Sequence, residues 1–207
     1  MSDPSLPVLL ALRLRSFASA EDVAERSGLA PEVVASELAS SAEAGWAVHR
    51  DGRVSGWSLT ADGRRRGEEL LALELEETGA RARVEASYRS FLQLNGELLA
   101  VCTDWQVVVV DGEQSVNDHA DATHDAAVLA RLDELHAAAV PVAEELGTTL
   151  HRFGPYGPRL AAAHERVRAG DHDWLTRPTI DSYHTVWFEL HEDLLATLGR
   201  ERSQEHA

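Results

Sequence analysis

Apolar residues recur at helical spacing in the first part of the chain. The apolar positions of residues 5–17 that share one side of a predicted helix are Leu6, Leu9, Leu10 and Leu14. Ser19 and Asp22 then stand three residues apart, as the two members of a capping box do at the start of a helix. The pattern therefore predicts two consecutive helices.

The segment AERSGLAPEVVASEL, residues 24–38, predicts a tight turn between the second helix and a third. Gly28 ends the second helix, because glycine readily takes the left-handed conformation found at helix ends. Pro31 suits the first turn of the next helix, where its missing N–H costs no hydrogen bond. Val34 and Leu38 give this third helix an apolar inner face.

After Gly45 the period changes from helical to alternating. In WAVHRDGRVSGWSLT, residues 46–60, an Asp51-Gly52 pair separates two alternating segments, which predicts a β-hairpin with a turn at that pair. Thr60 is placed to cap a further helix. The predicted order is helix, helix, turn, helix, hairpin, helix.

Residues 5–66 resemble the MarR-like winged helix–turn–helix regulators. The similarity lies in SAEDVAERSGLAPEVVASEL, EAGW, the RDGR wing and the LTADGR exit. In that family the second helix of the motif enters the major groove and the wing contacts the backbone or the minor groove. The resemblance therefore implies double-stranded operator DNA as a partner. One departure is Ser41, at a position that is often Leu in the family.

The third helix, which the resemblance makes the recognition helix, contains no Arg or Lys. Phosphate contacts normally come from those residues, so the expected DNA contacts combine polar groups of the helix with arginines on its flanks. The expected DNA-binding residues are Arg26, Glu32, Ser36, Ser40, Arg50, Arg53 and Arg64. The alternative is a winged-helix module that has lost DNA binding and serves as a protein-interaction adaptor.

The charge of the 207-residue chain is unevenly distributed. All 19 basic residues are Arg and the net charge is −16, yet residues 1–66 hold 8 Arg against 9 acidic residues, and residues 67–207 hold 11 against 26. A polyanion should therefore prefer the first third. We expect a mainly α protein with a small β-hairpin wing: a winged helix–turn–helix domain over residues 1–66 and an acidic, all-helical bundle for dimerisation and effector binding over residues 67–207.

Features of the whole chain favour a cytoplasmic protein without a membrane partner. No apolar run approaches the ~20 residues of a membrane-spanning helix, and the start lacks the basic leader of a signal peptide. The single cysteine, Cys102, cannot form an internal disulfide, as is usual in a reducing compartment.

A seam with spacings of four and three residues follows a predicted break near Gly79. Its members are Val84, Tyr88, Phe91, Asn95, Leu98, Cys102 and Trp105. Asn95 is its one polar member. Cys102 is either a redox-sensing thiol or a small core residue, and the core interpretation is favoured. WQVVVVDG, residues 105–112, predicts a short buried strand or an extended crossing segment, followed by a polar loop.

Residues 117–125, NDHADATHD, concentrate acidic and imidazole side chains. Either Asp121 caps the next helix and the acidic residues complement its dipole, or the side chains bind a ligand or a metal. The candidate ligand-binding residues are His119, Asp121, His124 and Asp125. Their spacing matches no specific metal motif, so we expect neither a metal nor a cofactor.

Two further segments carry candidate ligand-binding residues. Arg152, Tyr156 and Arg159 lie in a Gly- and Pro-rich loop, where the arginines either hold an anion by forked hydrogen bonds or neutralise nearby carboxylates. His184, Trp187 and His191 share one face of the last long helix, as a pocket wall or as part of a core or dimer interface.

The sequence contains no recognisable catalytic motif, and we expect no enzyme. There is also a passing similarity to the metal-binding effector domains of GntR-type regulators. It lies in AAAHERVRAGDHDWL, through His164 and the AGD turn, but the spacings of the other metal ligands in that family are not present in this chain. The expected function is a homodimeric DNA-binding transcriptional regulator that responds to a small ligand, for which an anion is one candidate.

Overall fold

The computed structural model of the chain describes residues 3–53, 55–110 and 112–202. This part is mainly helical and includes two antiparallel sheets of two strands each. It divides into two compact units. Unit 1 comprises the described residues of Met1–Arg81 and Glu192–Ala207, and unit 2 comprises those of Ala82–His191. The boundary expected after residue 66 instead falls inside a helix that runs without interruption over Ala61–Thr78.

Unit 1 follows the predicted order of elements. These are α1 (Ser5–Arg15), α2 (Ala20–Ser27), α3 (Pro31–Glu43), β1 (Ala47–Arg50), β2 (Gly56–Leu59) and α4 (Ala61–Thr78). The capping box is confirmed: Ser19 Oγ accepts from the Asp22 N–H at 3.1 Å, and the Asp22 carboxylate accepts from the Ser19 N–H at 2.9 Å. Gly28 is left-handed, with φ of 68°, and Pro31 is the first residue of α3, as predicted.

The helix α1 is buried on two sides. One side joins an apolar cluster of Val8, Ala11, Leu12, Ala18, Val23, Val34, Leu38 and Ala47, which ties α1, α2, α3 and β1 together. The other side joins a second cluster of Leu6, Leu9, Leu10, Leu70, Leu71 and Ala196. Burying these side chains removes apolar surface from water, the dominant favourable term in folding.

The hairpin of unit 1 has a longer loop than predicted. Strands β1 and β2 are antiparallel from Ala47↔Leu59 to Arg50↔Gly56. The predicted hairpin is confirmed, and its loop contains Asp51-Gly52. The loop runs over residues 51–55, of which residue 54 lies outside the described residues, so the second strand begins later than the alternation from residue 54 predicted. Ser55 Oγ bonds the Asp51 carboxylate at 3.3 Å, a contact inside the loop that a two-residue turn would not contain.

The start of α4 lies very close to the backbone of Trp46. Thr60 Oγ1 accepts from the Gly63 N–H at 3.0 Å, which confirms the predicted cap, and donates to the Gly45 carbonyl at 2.7 Å. A Cβ atom at Gly63 would stand only 1.9 Å from the Trp46 carbonyl oxygen. Glycine at position 63 is therefore required by this approach.

Unit 2 lies between the two chain segments of unit 1 in sequence. Its elements are α5 (Arg81–Gln106), β3 (Val107–Val110), β4 (Glu113–Val116), α6 (Ala122–Thr149), a 3-10 turn (His151–Phe153), α7 (Tyr156–Arg168), α8 (Asp173–Thr176) and α9 (Tyr183–Leu198). The helix α9 begins in unit 2 and ends in unit 1. The break expected near Gly79 is confirmed, because Gly79 ends α4 with φ of 63°. No helix among the described residues is both long enough and apolar enough to cross a membrane.

The predicted seam of α5 is buried except at Asn95, which is half-buried. It packs on α9: the rings of Phe91 and Trp187 stack with centroids 4.5 Å apart, and Trp187 Nε1 donates to Asn95 Oδ1 at 3.0 Å. Cys102 lies in this seam, and burial raises its pKa to about 12. The interpretation of Cys102 as a core residue therefore agrees with the structure.

The expectation of an all-helical C-terminal domain is wrong in one respect. β3 pairs with β4 in an antiparallel hairpin, from Val107↔Val116 to Val110↔Glu113. The strand at Val107–Val110 is present but is not buried: Val107 and Val108 are half-buried and Val109 is 70% exposed. A run of four valines fits a strand, but its burial depends on which elements cover it, and periodicity does not report that.

Candidate functional site

The outer surface of α3 presents small and acidic side chains. Val34 and Leu38 are buried, as predicted, whereas Glu32, Ser36 and Ser40 are exposed. Ser41 is 1% exposed, and its Oγ atom has no hydrogen-bond partner. The predicted polar contacts of the helix are thus accessible, and no basic side chain accompanies them on α3.

The arginines of unit 1 differ in whether carboxylates neutralise them. Arg13 pairs with Glu68 at 2.7 Å, Arg65 with Asp62 at 3.0 Å, and Arg66 with Asp3 at 3.4 Å. The predicted residue Arg26 is half-buried on α2.

The remaining predicted basic contacts are Arg50 on β1, Arg53 in the hairpin loop and Arg64 near the start of α4. All three are exposed. Their side chains make no hydrogen bond or ion pair within residues 3–53, 55–110 and 112–202. Their charges are therefore available to an outside anion.

In unit 2, Asp121 caps α6. Its Oδ1 accepts from the N–H groups of Thr123 at 2.9 Å and His124 at 3.2 Å. His124 Nε2 lies 2.8 Å from the Asp104 carbonyl oxygen, so its ring is held against the end of α5. The capping interpretation of this segment is confirmed, and these two side chains are occupied in stabilising the helix start.

The buried amide of Asn117 organises the same segment. Its Oδ1 accepts from the His119 N–H at 3.0 Å, and its Nδ2 donates to the Trp105 carbonyl and to Asp125 Oδ1, both at 3.1 Å. His119 Nδ1 lies 3.0 Å from Asp125 Oδ2. His119 has φ of 58°, a left-handed conformation that costs energy for a residue with a side chain.

A cleft of about 430 Å³ opens beside this network. Its lining residues are Trp105, Gln106, His119, His172, Asp173, Thr176, Arg177 and Pro178. The Trp105 ring lies between two imidazoles, with centroids 4.4 Å from His119 and 5.0 Å from His172. Of the predicted ligand-binding residues, only His119 lines this cleft.

The loop arginines are used inside the protein. Arg159 Nε donates to Asp181 at 2.9 Å, and its Nη2 donates to the buried Glu189 at 2.6 Å. The guanidinium of Arg152 stacks over Phe153 at 4.3 Å, and Tyr156 is buried. For Arg159 the structure agrees with neutralisation of carboxylates rather than with anion capture.

The predicted residues of α9 lie in the interior. Trp187 bonds Asn95, and the ring of the buried His191 lies 5.1 Å from Phe91. Burial lowers the pKa of the half-buried His184, because a charged imidazole loses hydration there. These contacts agree with a core helix, the alternative to a pocket wall.

A second pair of imidazoles lies between α6 and α7. His136 stacks on His164 with centroids 4.1 Å apart, and its Nδ1 lies 3.3 Å from the hydroxyl of the fully buried Tyr183. Burial and the neighbouring His164 lower the pKa of His136.

Within the described residues, no group of three or more His, Cys, Asp or Glu side chains is arranged to hold a metal ion.

Sequence reasoning missed most of the cleft, including His172 and Arg177. These residues follow α7 and are remote in sequence from Trp105 and His119, so no local spacing links them. The HDW sequence at residues 172–174 was the only local sign, because it places another imidazole beside acidic and aromatic side chains.

Comparison of the chain with protein-family models, curated proteins and solved structures finds no match.

Proposed function

We propose that this protein is a DNA-binding transcriptional regulator that acts as a homodimer and responds to a small molecule bound by unit 2. In this proposal unit 1 is a winged helix–turn–helix, with α2 and α3 as the motif and the β1–β2 hairpin as the wing. Its support is the element order α1, α2, α3, β1, β2, α4, the left-handed Gly28 between α2 and α3, and a shared apolar cluster.

The observation that carries the proposal is the set of exposed arginines without carboxylate partners, Arg50, Arg53 and Arg64. In a chain of net charge −16, most arginines can be neutralised by neighbours. An arginine that stays unpaired beside a helix–turn–helix is free to bind a phosphate without first breaking an ion pair. Such contacts supply most of the affinity of proteins for DNA.

The helix α3 would contribute sequence preference rather than charge. The hydroxyls of Ser36 and Ser40 can donate to or accept from base edges, and Glu32 can accept from the amino group of cytosine. The small side chains of Ala35 and Ala39 leave room for close approach to the groove. A dimer would double these contacts, and a ligand that changes the spacing of the two winged domains would release DNA whose half-sites no longer match.

The test uses the Arg50→Ala/Arg53→Ala variant. Fluorescence anisotropy with DNA from upstream of its own gene, over a salt series, gives the slope of log affinity against log salt. Each lost phosphate contact lowers that slope by about 0.9, so we expect a decrease of about 2 per protomer. The matched control is Arg89→Ala, which removes another exposed arginine, from α5, that makes no ion pair within the described residues.

The wild-type protein should bind its own upstream DNA more tightly than scrambled DNA, and salt should weaken the binding. The proposal fails if the folded dimer has no preference at low salt. It also fails if Arg50→Ala/Arg53→Ala changes affinity and salt slope no more than Arg89→Ala does.

A second function, protein-interaction adaptor, is favoured by the surface of α3 itself. Val33 is 40% exposed there, with exposed Ala35 and Ala39 beside it and no basic residue. Protein interfaces are typically enriched in apolar side chains at their centre, and Val33 with its alanine neighbours would supply such a centre, with Glu32 at its edge. The same titration separates the two functions, because an adaptor has no salt-dependent DNA affinity to lose.

A further inference from the structure

We propose that the cleft beside Trp105 is the effector site, and that it binds a small organic molecule through a carboxylate or phosphate group. The cleft lies wholly within unit 2, between the end of α5, the loop before α6 and the segment around α8. This inference deepens the proposed function and rests on it for its regulatory consequence.

Hydrogen bonds fix the orientation of the His119 ring beside the cleft. Both amide hydrogens of Asn117 are used, by the Trp105 carbonyl and by Asp125. Because a carboxylate only accepts hydrogen bonds, His119 Nδ1 carries the proton that it shares with Asp125. The other ring nitrogen, Nε2, makes no hydrogen bond within the described residues. In the neutral ring it is an acceptor, so it can receive an N–H or O–H group of the ligand but does not itself donate to an anion.

The backbone strain at His119 is the second indication that its imidazole contacts a ligand. A left-handed non-glycine residue costs roughly 1–3 kcal/mol, which surrounding contacts must offset. Here the 7%-exposed Asn117 bonds the His119 N–H and also holds Asp125. The network therefore fixes one imidazole at the rim of a cleft, as binding sites do with a few placed polar groups.

The donors that face the cleft identify the ligand chemistry. Trp105 lines the cleft, and its indole N–H has no hydrogen-bond acceptor in the described part of the chain, while remaining accessible to solvent. In contrast, the indole N–H of Trp187 is bonded to Asn95. Arg177 adds a guanidinium, which is 55% exposed and shared with Asp173 at 2.6 Å. Unpaired and cationic donors favour an acceptor-rich anion.

Asp173 does not exclude an anion from this cleft. Its pair with Arg177 is exposed on both sides, and exposed pairs of this kind contribute little stability. A guanidinium has five N–H donors, so Arg177 can keep Asp173 and bind a second oxyanion.

The size of the cleft indicates an organic molecule rather than an inorganic ion. Its volume of about 430 Å³ lies in the range of small-molecule sites, roughly 300–1,000 Å³. Three rings line it, from Trp105, His119 and His172, so a flat ligand body can lie against them.

The test follows the five indole N–H signals of ¹⁵N-labelled full-length protein by NMR. The Trp105→Phe spectrum assigns the signal of interest. Benzoate, phenyl phosphate and the neutral benzamide are titrated at constant pH and ionic strength. We expect a saturable shift of the Trp105 signal with at least one anion, and binding of benzamide weaker by about tenfold or more.

Arg177→Gln should weaken anion binding about tenfold. Its matched control, Arg89→Gln, should leave binding unchanged, because Arg89 is exposed on α5 and outside the cleft lining. Tighter binding of benzoate than of phenyl phosphate identifies a carboxylate ligand, and the reverse order identifies a phosphate ester. The proposal is overturned if neither anion shifts the Trp105 signal in a saturable way, or if benzamide binds as tightly as the anions. It is also overturned if Arg177→Gln and Arg89→Gln change anion binding equally.

This experiment contains no DNA, so it fails or succeeds separately from the DNA titration. Anion binding without any DNA affinity would remove the regulatory function and keep the site. DNA binding without a shift of the Trp105 signal would keep the regulator and remove this cleft as its effector site.

Discussion

Ser41 on α3 provides a sharp test of how unit 1 is packed. Its side chain is 1% exposed and its hydroxyl has no partner, so the folded state loses the hydrogen bonds that water makes to that hydroxyl in the unfolded chain. An unsatisfied buried polar group costs roughly 1–3 kcal/mol. Ser41→Ala removes the hydroxyl and leaves the Cβ atom in place. We therefore expect the substitution to stabilise the protein.

Ser40→Ala is the matched control, because Ser40 is the exposed neighbour on the same helix. Both substitutions gain about 0.5 kcal/mol of helix propensity. The buried hydroxyl adds about 1 kcal/mol or more at position 41 only. Urea denaturation followed by far-ultraviolet circular dichroism should show this difference as a midpoint higher by about 0.3–1 M. If Ser41→Ala stabilises no more than Ser40→Ala, the hydroxyl is satisfied and the reasoning is wrong.

Two further results are expected. Cys102 should react with a thiol reagent only after unfolding, because it is buried and its pKa is raised to about 12; rapid labelling of the folded protein would contradict this. Burial lowers the pKa of His136 and His184, so unfolding lets both imidazoles take up protons. Stability should therefore fall as pH drops through about 6.5, and His136→Gln/His184→Gln should reduce that fall in urea denaturation. An equal fall in the variant and the wild type would refute this cause.

Local signals along the chain predicted much of the secondary structure. The capping box at Ser19 and Asp22, the left-handed Gly28 and Gly79, and the cap at Asp121 are determined by nearby residues, and each is present. The α5 seam was predictable for the same reason, since a buried face leaves a helical period in the sequence.

Features that depend on contacts between distant residues were not predictable. The valines of β3 have the composition of a buried strand, yet Val107 and Val108 are only half-buried and Val109 is exposed, because no other element covers them fully. The cleft combines His119 with His172 and Arg177, and the positions of α5, α6 and α8 bring them together. Arg159 was ambiguous in sequence because its partners, Asp181 and Glu189, lie well beyond its own loop.

The discontinuity of unit 1 has a consequence for biosynthesis. Ala196 belongs to the cluster that contains Leu9 and Leu71, so that cluster is complete only after residue 196 has left the ribosome. Translation at about 5–20 residues per second makes the intervening Ala82–His191 segment a delay on the order of ten seconds. During that time the leucines that α1 and α4 contribute to this cluster lack the cover that Ala196 of α9 gives them in the finished protein, so this part of unit 1 matures last.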